Sequence, residues 1–199
     1  MFDFKTIFAI ISVLIVIFSY ALYFKDIFSG KTKPHAYSWL VWSTVSGIAF
    51  FGQLVGQAGS GAWVTGANAL ITFFIFIYAY FKSERDITKS DKISLTAAFF
   101  TLILFLIFRS DPLIAVILTT IIATIGFYPT IRKSYFKPEQ ETLFTFFLSG
   151  SKYIFGFLAL QNYSIITWLY PLSQLIVNYG FVLMLLIRRK YYKTRKLID

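Results

Sequence analysis

Seven long apolar runs, separated by short polar connections, constrain this chain more than any other feature of its sequence. A helix needs about 20 apolar residues to cross the hydrocarbon core of a bilayer. An isolated apolar segment in lipid can satisfy its backbone hydrogen bonds only as a helix. We therefore predict an all-α membrane protein with seven transmembrane helices, at residues 4–24, 38–57, 62–81, 92–108, 112–131, 142–160 and 165–187.

The composition excludes a soluble domain. Of the 199 residues, 57% are hydrophobic and only 14% are charged, whereas soluble proteins carry about 25% charged residues. The first run lacks the basic leader and the small-residue cleavage site of a signal peptide, so we interpret it as a retained span. The chain has no cysteine, which excludes disulfides and thiol chemistry.

Basic residues predict the orientation of the helices. All but three of the 19 Lys and Arg residues fall in loops 1–2, 3–4 and 5–6 or in the C-terminal tail; the exceptions are Lys5, Arg109 and Lys152. This asymmetry predicts an external N-terminus and a cytoplasmic C-terminus. Because the basic residues lie between apolar runs, we expect them to contact anionic lipid in a cell membrane and not nucleic acid.

A proline-bounded basic turn occurs twice, at residues 27–38 and 129–142. The copies pair Ile27 with Ile131, Lys33 with Lys137, Pro34 with Pro138 and Ser38 with Thr142. With one residue of slippage, Trp63 also pairs with Trp168. The sequence therefore predicts two parallel three-helix repeats, at 1–81 and 110–187, joined by a linker with one helix at 82–109 and followed by a basic tail at 188–199.

A 3+1+3 arrangement with a Lys-Pro turn after the first helix of each triplet resembles the SWEET/PQ-loop transporter superfamily. The likeness rests on residues 129–134 with Lys137, Pro138 and Thr142, and on Lys33-Pro34 with Ser38. The name-giving Pro-Gln is Pro129-Thr130 in the second copy and Lys25-Asp26 in the first. Sugar-carrying SWEETs have hinge prolines in several helices. In this chain only Pro129 corresponds to one of them. The resemblance implies a site midway across the membrane, lined by spans 2, 3, 6 and 7.

Three amides are candidate ligand-binding groups. SWEET proteins place an asparagine in spans 3 and 7, and this chain has Asn68 and Asn178 there, with Gln174 one turn before Asn178. An amide both donates and accepts hydrogen bonds, which suits a polyhydroxyl or carboxylate solute. The alternative is a hydrogen bond between neighbouring helices, worth about 0.6 kcal/mol.

Lys152 lies near the middle of span 6, and no span interior contains an acidic residue to pair with it. A cation at this depth costs about 3 kcal/mol or more unless it reaches water. Lys152 therefore either faces a wet cavity, where it contacts an anionic group of the solute, or binds backbone carbonyls.

Three further residues have weaker signals. Gln53 in span 2 either lines the outer mouth or makes a packing hydrogen bond. Trp42 either stacks on the solute or anchors span 2 at the interface. Pro129 serves as a hinge for span 5 or stops the helix before the basic turn.

These features favour a passive uniporter of a small polar solute, such as a sugar or a small organic anion. The alternatives are a PQ-loop-type receptor that binds a ligand without moving it, and a facilitator of a vitamin precursor of the nicotinamide riboside type. We find no phosphate-binding loop, no metal-ligand cluster and no nucleophile-base pair. We therefore expect no enzyme activity, cofactor or metal, and a homo-oligomer is compatible with the sequence.

Overall fold

The structure is a computed structural model that describes residues 3–30, 34, 36–82, 89–108, 111–127, 131, 134–136, 138–140 and 143–195. The predicted hinge Pro129 lies outside these ranges, as do Lys33, Lys137 and Thr142 of the paired turns.

Seven α-helices longer than ten residues account for most of the described chain, and no strand occurs in it. Each predicted span coincides with one helix, so the all-helical prediction is confirmed. A 3₁₀ turn, Gly59–Ala62, joins the second helix to the third, and another, Pro138–Gln140, precedes the sixth. The helices are α1 Phe4–Phe28, α2 Ala36–Val55, α3 Trp63–Lys82, α4 Lys89–Ile107, α5 Leu113–Ile125, α6 Leu143–Leu158 and α7 Ile165–Arg195.

Four of these helices are long and apolar enough to cross a membrane: α1, α2, α3 and α7. The apolar parts of the other three are shorter. The 13 residues of α5 span about 20 Å, less than the hydrocarbon core of about 30 Å. A belt of exposed large side chains, including Leu14, Phe18, Leu70, Phe74 and Ile103, suits contact with lipid. Crossing by all seven helices, and its direction, stay predictions.

Helix α7 continues past its apolar segment, to Arg195 and not to residue 187. Hydropathy fell at residue 188, but arginine and lysine are good helix formers, so the helix continues as a charged extension. The Arg188 Nε donates to the backbone oxygen of Tyr135 at 2.9 Å, and its guanidinium lies 3.9 Å from the centre of that ring. Arg189 donates to the backbone oxygen of Pro138. Two of the tail arginines therefore bind the turn that precedes α6.

Apart from those of α4, the helix contacts form a pattern that is unchanged when α1–α3 are exchanged with α5–α7. Within the first set α3 packs against α1 and α2, and within the second α7 packs against α5 and α6. Between the sets, α1 contacts α6 and α2 contacts α5. Helix α4 lies against α2 and α5. Contacts of this kind within and between the two sets are expected of two parallel repeats, and the repeat organisation stays a prediction.

Candidate functional site

A cavity of about 530 Å³ lies between the two helix triplets. Side chains from every helix except α4 line it. The lining residues are Ser19, Tyr20, Tyr23, Pro34, Ser38, Trp39, Trp42, Ser46, Asn68, Thr72, Ala123, Phe127, Thr145, Phe146, Ser149, Lys152, Tyr153, Tyr170, Gln174 and Asn178.

The lining differs in composition from the rest of the chain. Eight of the 20 lining residues are aromatic, about twice the 21% aromatic content of the whole sequence. Ten others carry a polar side chain, and none is Leu, Ile or Val. Aromatic surface with a few convergent polar groups is typical of a small-molecule site.

Among the lining residues that the structure describes, Lys152 is the only cation and none is acidic. Its side chain is 4% exposed. Its Nζ donates a hydrogen bond to Asn68 Oδ1 at 2.8 Å and lies 5.2 Å from the ring centres of both Tyr20 and Tyr153. The partners of the ammonium in this structure are therefore neutral: one amide oxygen and the faces of two rings.

Asn68 is the centre of a network that joins five helices. Its Oδ1 also accepts a hydrogen bond from the Tyr20 hydroxyl at 2.8 Å, and its Nδ2 donates to Ser46 Oγ at 3.0 Å. The Ser46 hydroxyl in turn lies 3.1 Å from the Tyr170 hydroxyl. Because an amide oxygen has two lone pairs, Oδ1 is fully used by Lys152 and Tyr20. Asn68 therefore positions Lys152, and only its second N–H is left for a ligand.

Two amides on α7, Gln174 and Asn178, also line the cavity. Asn178 Nδ2 donates to the backbone oxygen of Gln174 at 2.8 Å. The Gln174 Nε2 is buried and has no hydrogen-bond partner in the described part of the chain. Residues four apart share one face of a helix, which explains why both amides reach the same cavity.

The structure brings five of the six predicted ligand-binding residues into this one cavity. Trp42 is 38% exposed and packs edge-on against Trp39 at 5.1 Å between ring centres. The others are Asn68, Asn178, Lys152 and Gln174. Whether these side chains bind a solute stays a prediction.

Gln53 does not line the cavity. It is fully buried, and its Nε2 donates to the backbone oxygen of Thr167 in α7 at 2.9 Å. Thr167 lies four residues before Pro171, which is inside α7. Proline has no N–H, so it leaves the carbonyl of residue i−4 without its helical partner. Gln53 therefore has a packing role: it satisfies the carbonyl that Pro171 leaves free.

Away from Pro34, the cavity lining stops at Ser46 in α2 and Tyr170 in α7, short of the α2–α3 and α6–α7 turns. These two turns contact each other directly, and we call this side the sealed end. The Gln161 N–H donates to the backbone oxygen of Ala58 at 2.9 Å. The Ser60 Oγ donates to the backbone oxygen of Ala159 at 3.3 Å, and Asn162 Nδ2 donates to that of Gly56 at 2.8 Å.

In the other direction the cavity extends to Pro34 and Ser38, beside the first basic turn. We call this side the basic end. It carries the α1–α2 and α5–α6 connections and the charged extension of α7.

Comparison with protein-family models, with curated proteins and with solved structures finds no match to this chain.

Several lining residues had no sequence signal of their own. Tyr20, Ser46, Tyr153 and Tyr170 form much of the wall around Lys152, yet tyrosine and serine are common throughout an aromatic-rich apolar chain. A hydroxyl far from the ends of a predicted span, as in Ser46, was the one available indication, because such a group needs a partner in lipid.

Proposed function

We propose that this protein is a passive transporter that moves a small polar solute, such as a sugar or a small organic anion, by alternating access between two helix triplets. The supporting observation is the cavity itself: it lies between the triplets, has a polar and aromatic lining, ends short of the turns at the sealed end and extends to the basic end. The resemblance to the SWEET/PQ-loop superfamily is part of this proposal. The exchange symmetry of the helix contacts supports it.

Alternating access requires that the sealed end open while the basic end closes. The sealed end is held by a few hydrogen bonds between two turns, each worth about 1 kcal/mol net, and by a small apolar cluster of Ala58, Ala62 and Leu160. Opening this end must separate both. In α7, Pro171 interrupts the helix directly after Tyr170, a cavity residue. A helix interrupted by proline bends more easily. We propose Pro171, together with Pro129 in span 5, as a bending point.

Tracer counterflow in liposomes that contain the purified full-length protein tests the transport proposal. Vesicles are preloaded with one unlabelled solute and diluted into its labelled form. The panel includes glucose, benzenesulfonate and a nucleoside, and vesicles without protein are the control. We expect transient accumulation of at least one labelled solute without ATP or an ion gradient.

The outcomes separate the candidate functions. Saturable binding of a panel solute without any counterflow would favour the receptor, and counterflow restricted to the nucleoside would favour the vitamin-precursor facilitator. Accumulation that requires an imposed ion gradient would contradict a passive mechanism.

A further inference from the structure

The surroundings of Lys152 define the class of solute more narrowly than the proposed transport function does. Lys152 is 4% exposed, and within the described part of the chain no acidic residue lines its cavity. An amide oxygen and two tyrosine faces stabilise a cation only in part, and taking a charge out of water costs several kcal/mol. A single negative charge in the cavity would complete the pairing of Lys152.

The polar groups next to Lys152 are poorly suited to a sugar. A sugar needs many unpaired donors and acceptors around its ring. Here Asn68 Oδ1 already accepts hydrogen bonds from Lys152 and Tyr20, while Ser46 Oγ contacts both Asn68 Nδ2 and the Tyr170 hydroxyl. Thr72 Oγ1 donates to backbone oxygens of its own helix. Hydrogen bonding in this part of the cavity is largely satisfied by the protein itself.

Aromatic surface lies between Lys152 and the basic end. Tyr20, whose ring faces the ammonium, is in edge contact with Trp39 at 6.3 Å, and Trp39 packs on Trp42 at 5.1 Å. The second triplet contributes Phe127 and Phe146, with 5.7 Å between their ring centres. Aromatic rings pair with one another by edge-on or offset contact, worth about 0.5–1.5 kcal/mol beyond the area buried.

We infer that the cavity binds a small organic monoanion with an aromatic ring, such as an aromatic carboxylate, with its acidic group at Lys152 and its ring against the aromatic side chains toward the basic end. One cation matches one negative charge. The volume of about 530 Å³ accommodates a substituted single ring, since ligand pockets begin at about 300 Å³. This inference rests on the proposed transport function for its biological meaning, but its test does not.

Equilibrium binding to the purified full-length protein tests the ligand class. The readout is intrinsic tryptophan fluorescence, to which Trp39 and Trp42 contribute from the cavity wall. Four probes are compared: benzoate, its neutral analogue benzamide, cyclohexanecarboxylate and glucose. We expect benzoate to bind at least about tenfold more tightly than benzamide, because a hydrogen bond to a charged group is worth about 1.5–3 kcal/mol.

Equal binding of benzoate and benzamide overturns the inference, and so does stronger binding of glucose. Equal binding of benzoate and cyclohexanecarboxylate would show that the ligand does not need an aromatic ring.

Two variants test Lys152 itself. Lys152→Met keeps an unbranched side chain, one heavy atom shorter, and removes its charge. We expect benzoate affinity to fall about tenfold to hundredfold and benzamide affinity to stay within about twofold. Asn68→Asp leaves Lys152 in place but puts a carboxylate where Asn68 Oδ1 now lies, 2.8 Å from Nζ. This internal counter-ion should reduce benzoate binding by at least about tenfold.

Lys92→Met is the matched control, because Lys92 is exposed on α4 and outside the cavity. Unchanged benzoate binding in both Lys152→Met and Asn68→Asp would overturn the inference.

Counterflow of benzenesulfonate, whose permanent charge prevents leakage as a neutral acid, separates this inference from the transport proposal. Selective benzoate binding without flux of benzenesulfonate or any other panel solute supports the ligand class and contradicts transport. Glucose flux without selective benzoate binding supports transport and contradicts the ligand class.

Discussion

The sealed end and the Lys152 region join the same two triplets by different chemistry. At the sealed end the turns meet through backbone carbonyls and glycine, without any charged side chain among the contacts described above. Around Lys152 the triplets meet through side chains that surround a buried charge and an open space. Backbone contacts depend on a close fit, whereas the side-chain network can be rearranged by a ligand. We therefore expect the sealed end to govern conformation and the Lys152 region to govern recognition.

The largest expected effect comes from Gly61→Ala at the sealed end. A Cβ on Gly61 would lie 2.7 Å from both the N and Cα atoms of Leu160. Backbone atoms cannot rotate away, so the two turns must separate. We expect the free energy of unfolding to fall by about 3 kcal/mol, the upper range for overpacking, as measured by thermal unfolding in detergent.

Gly47→Ala in α2 is the control for Gly61→Ala. A Cβ there meets nothing within 4 Å, so we expect stabilisation by about 0.5–1 kcal/mol from the better helix former. Equal effects of the two substitutions would show that the sealed end is not closely packed in the protein.

Gln53→Leu should have the second largest effect. It leaves the Thr167 carbonyl, which Pro171 deprives of its helical partner, without the hydrogen bond from Gln53 Nε2. A buried unsatisfied carbonyl costs about 1–3 kcal/mol, and thermal unfolding measures it.

A double-mutant cycle with Pro171→Ala makes the same prediction specific. Alanine restores an N–H that can donate to Thr167, so Gln53→Leu should cost about 1 kcal/mol less in that background. Strict additivity of the two substitutions would contradict the proposed role of Gln53.

The smallest effect is expected from Tyr20→Phe in the Lys152 region. The ring stays 5.2 Å from Nζ, and only the hydrogen bond to Asn68 Oδ1 is lost. We expect a loss of about 1 kcal/mol in the free energy of unfolding. Tyr78→Phe, outside the cavity, is the control and should change stability by less than about 0.5 kcal/mol. If Tyr20→Phe lowered the free energy of unfolding as much as Gly61→Ala does, the expected difference between the two regions would be contradicted.

The positions of the helices and several residues of the candidate site could be predicted from the sequence. Apolar run length predicted each helix, because lipid leaves the backbone no other way to satisfy its hydrogen bonds. Asn68, Lys152 and Asn178 stood out because polar groups inside such runs are costly, and the structure brings them to one cavity.

The role of Gln53 and the end of α7 could not be predicted from the length of the apolar runs. Gln53 has the same polarity as the cavity amides, but the free carbonyl that it satisfies belongs to another helix. The extension of α7 to Arg195 was missed because hydropathy ends where the helix leaves the apolar region.

The sequence by itself determined that the chain forms helices long enough to interact with a bilayer, where they lie along the chain, and which polar groups are unusual within them. These are local properties, set by the hydrogen-bonding needs of each segment and its solvent. Only the tertiary structure decided that Lys152 of α6 meets Asn68 of α3 and Tyr20 of α1, and that Gln53 bonds to Thr167. Those contacts depend on how the helices face and cross one another, which is set by side-chain packing between segments far apart in the chain.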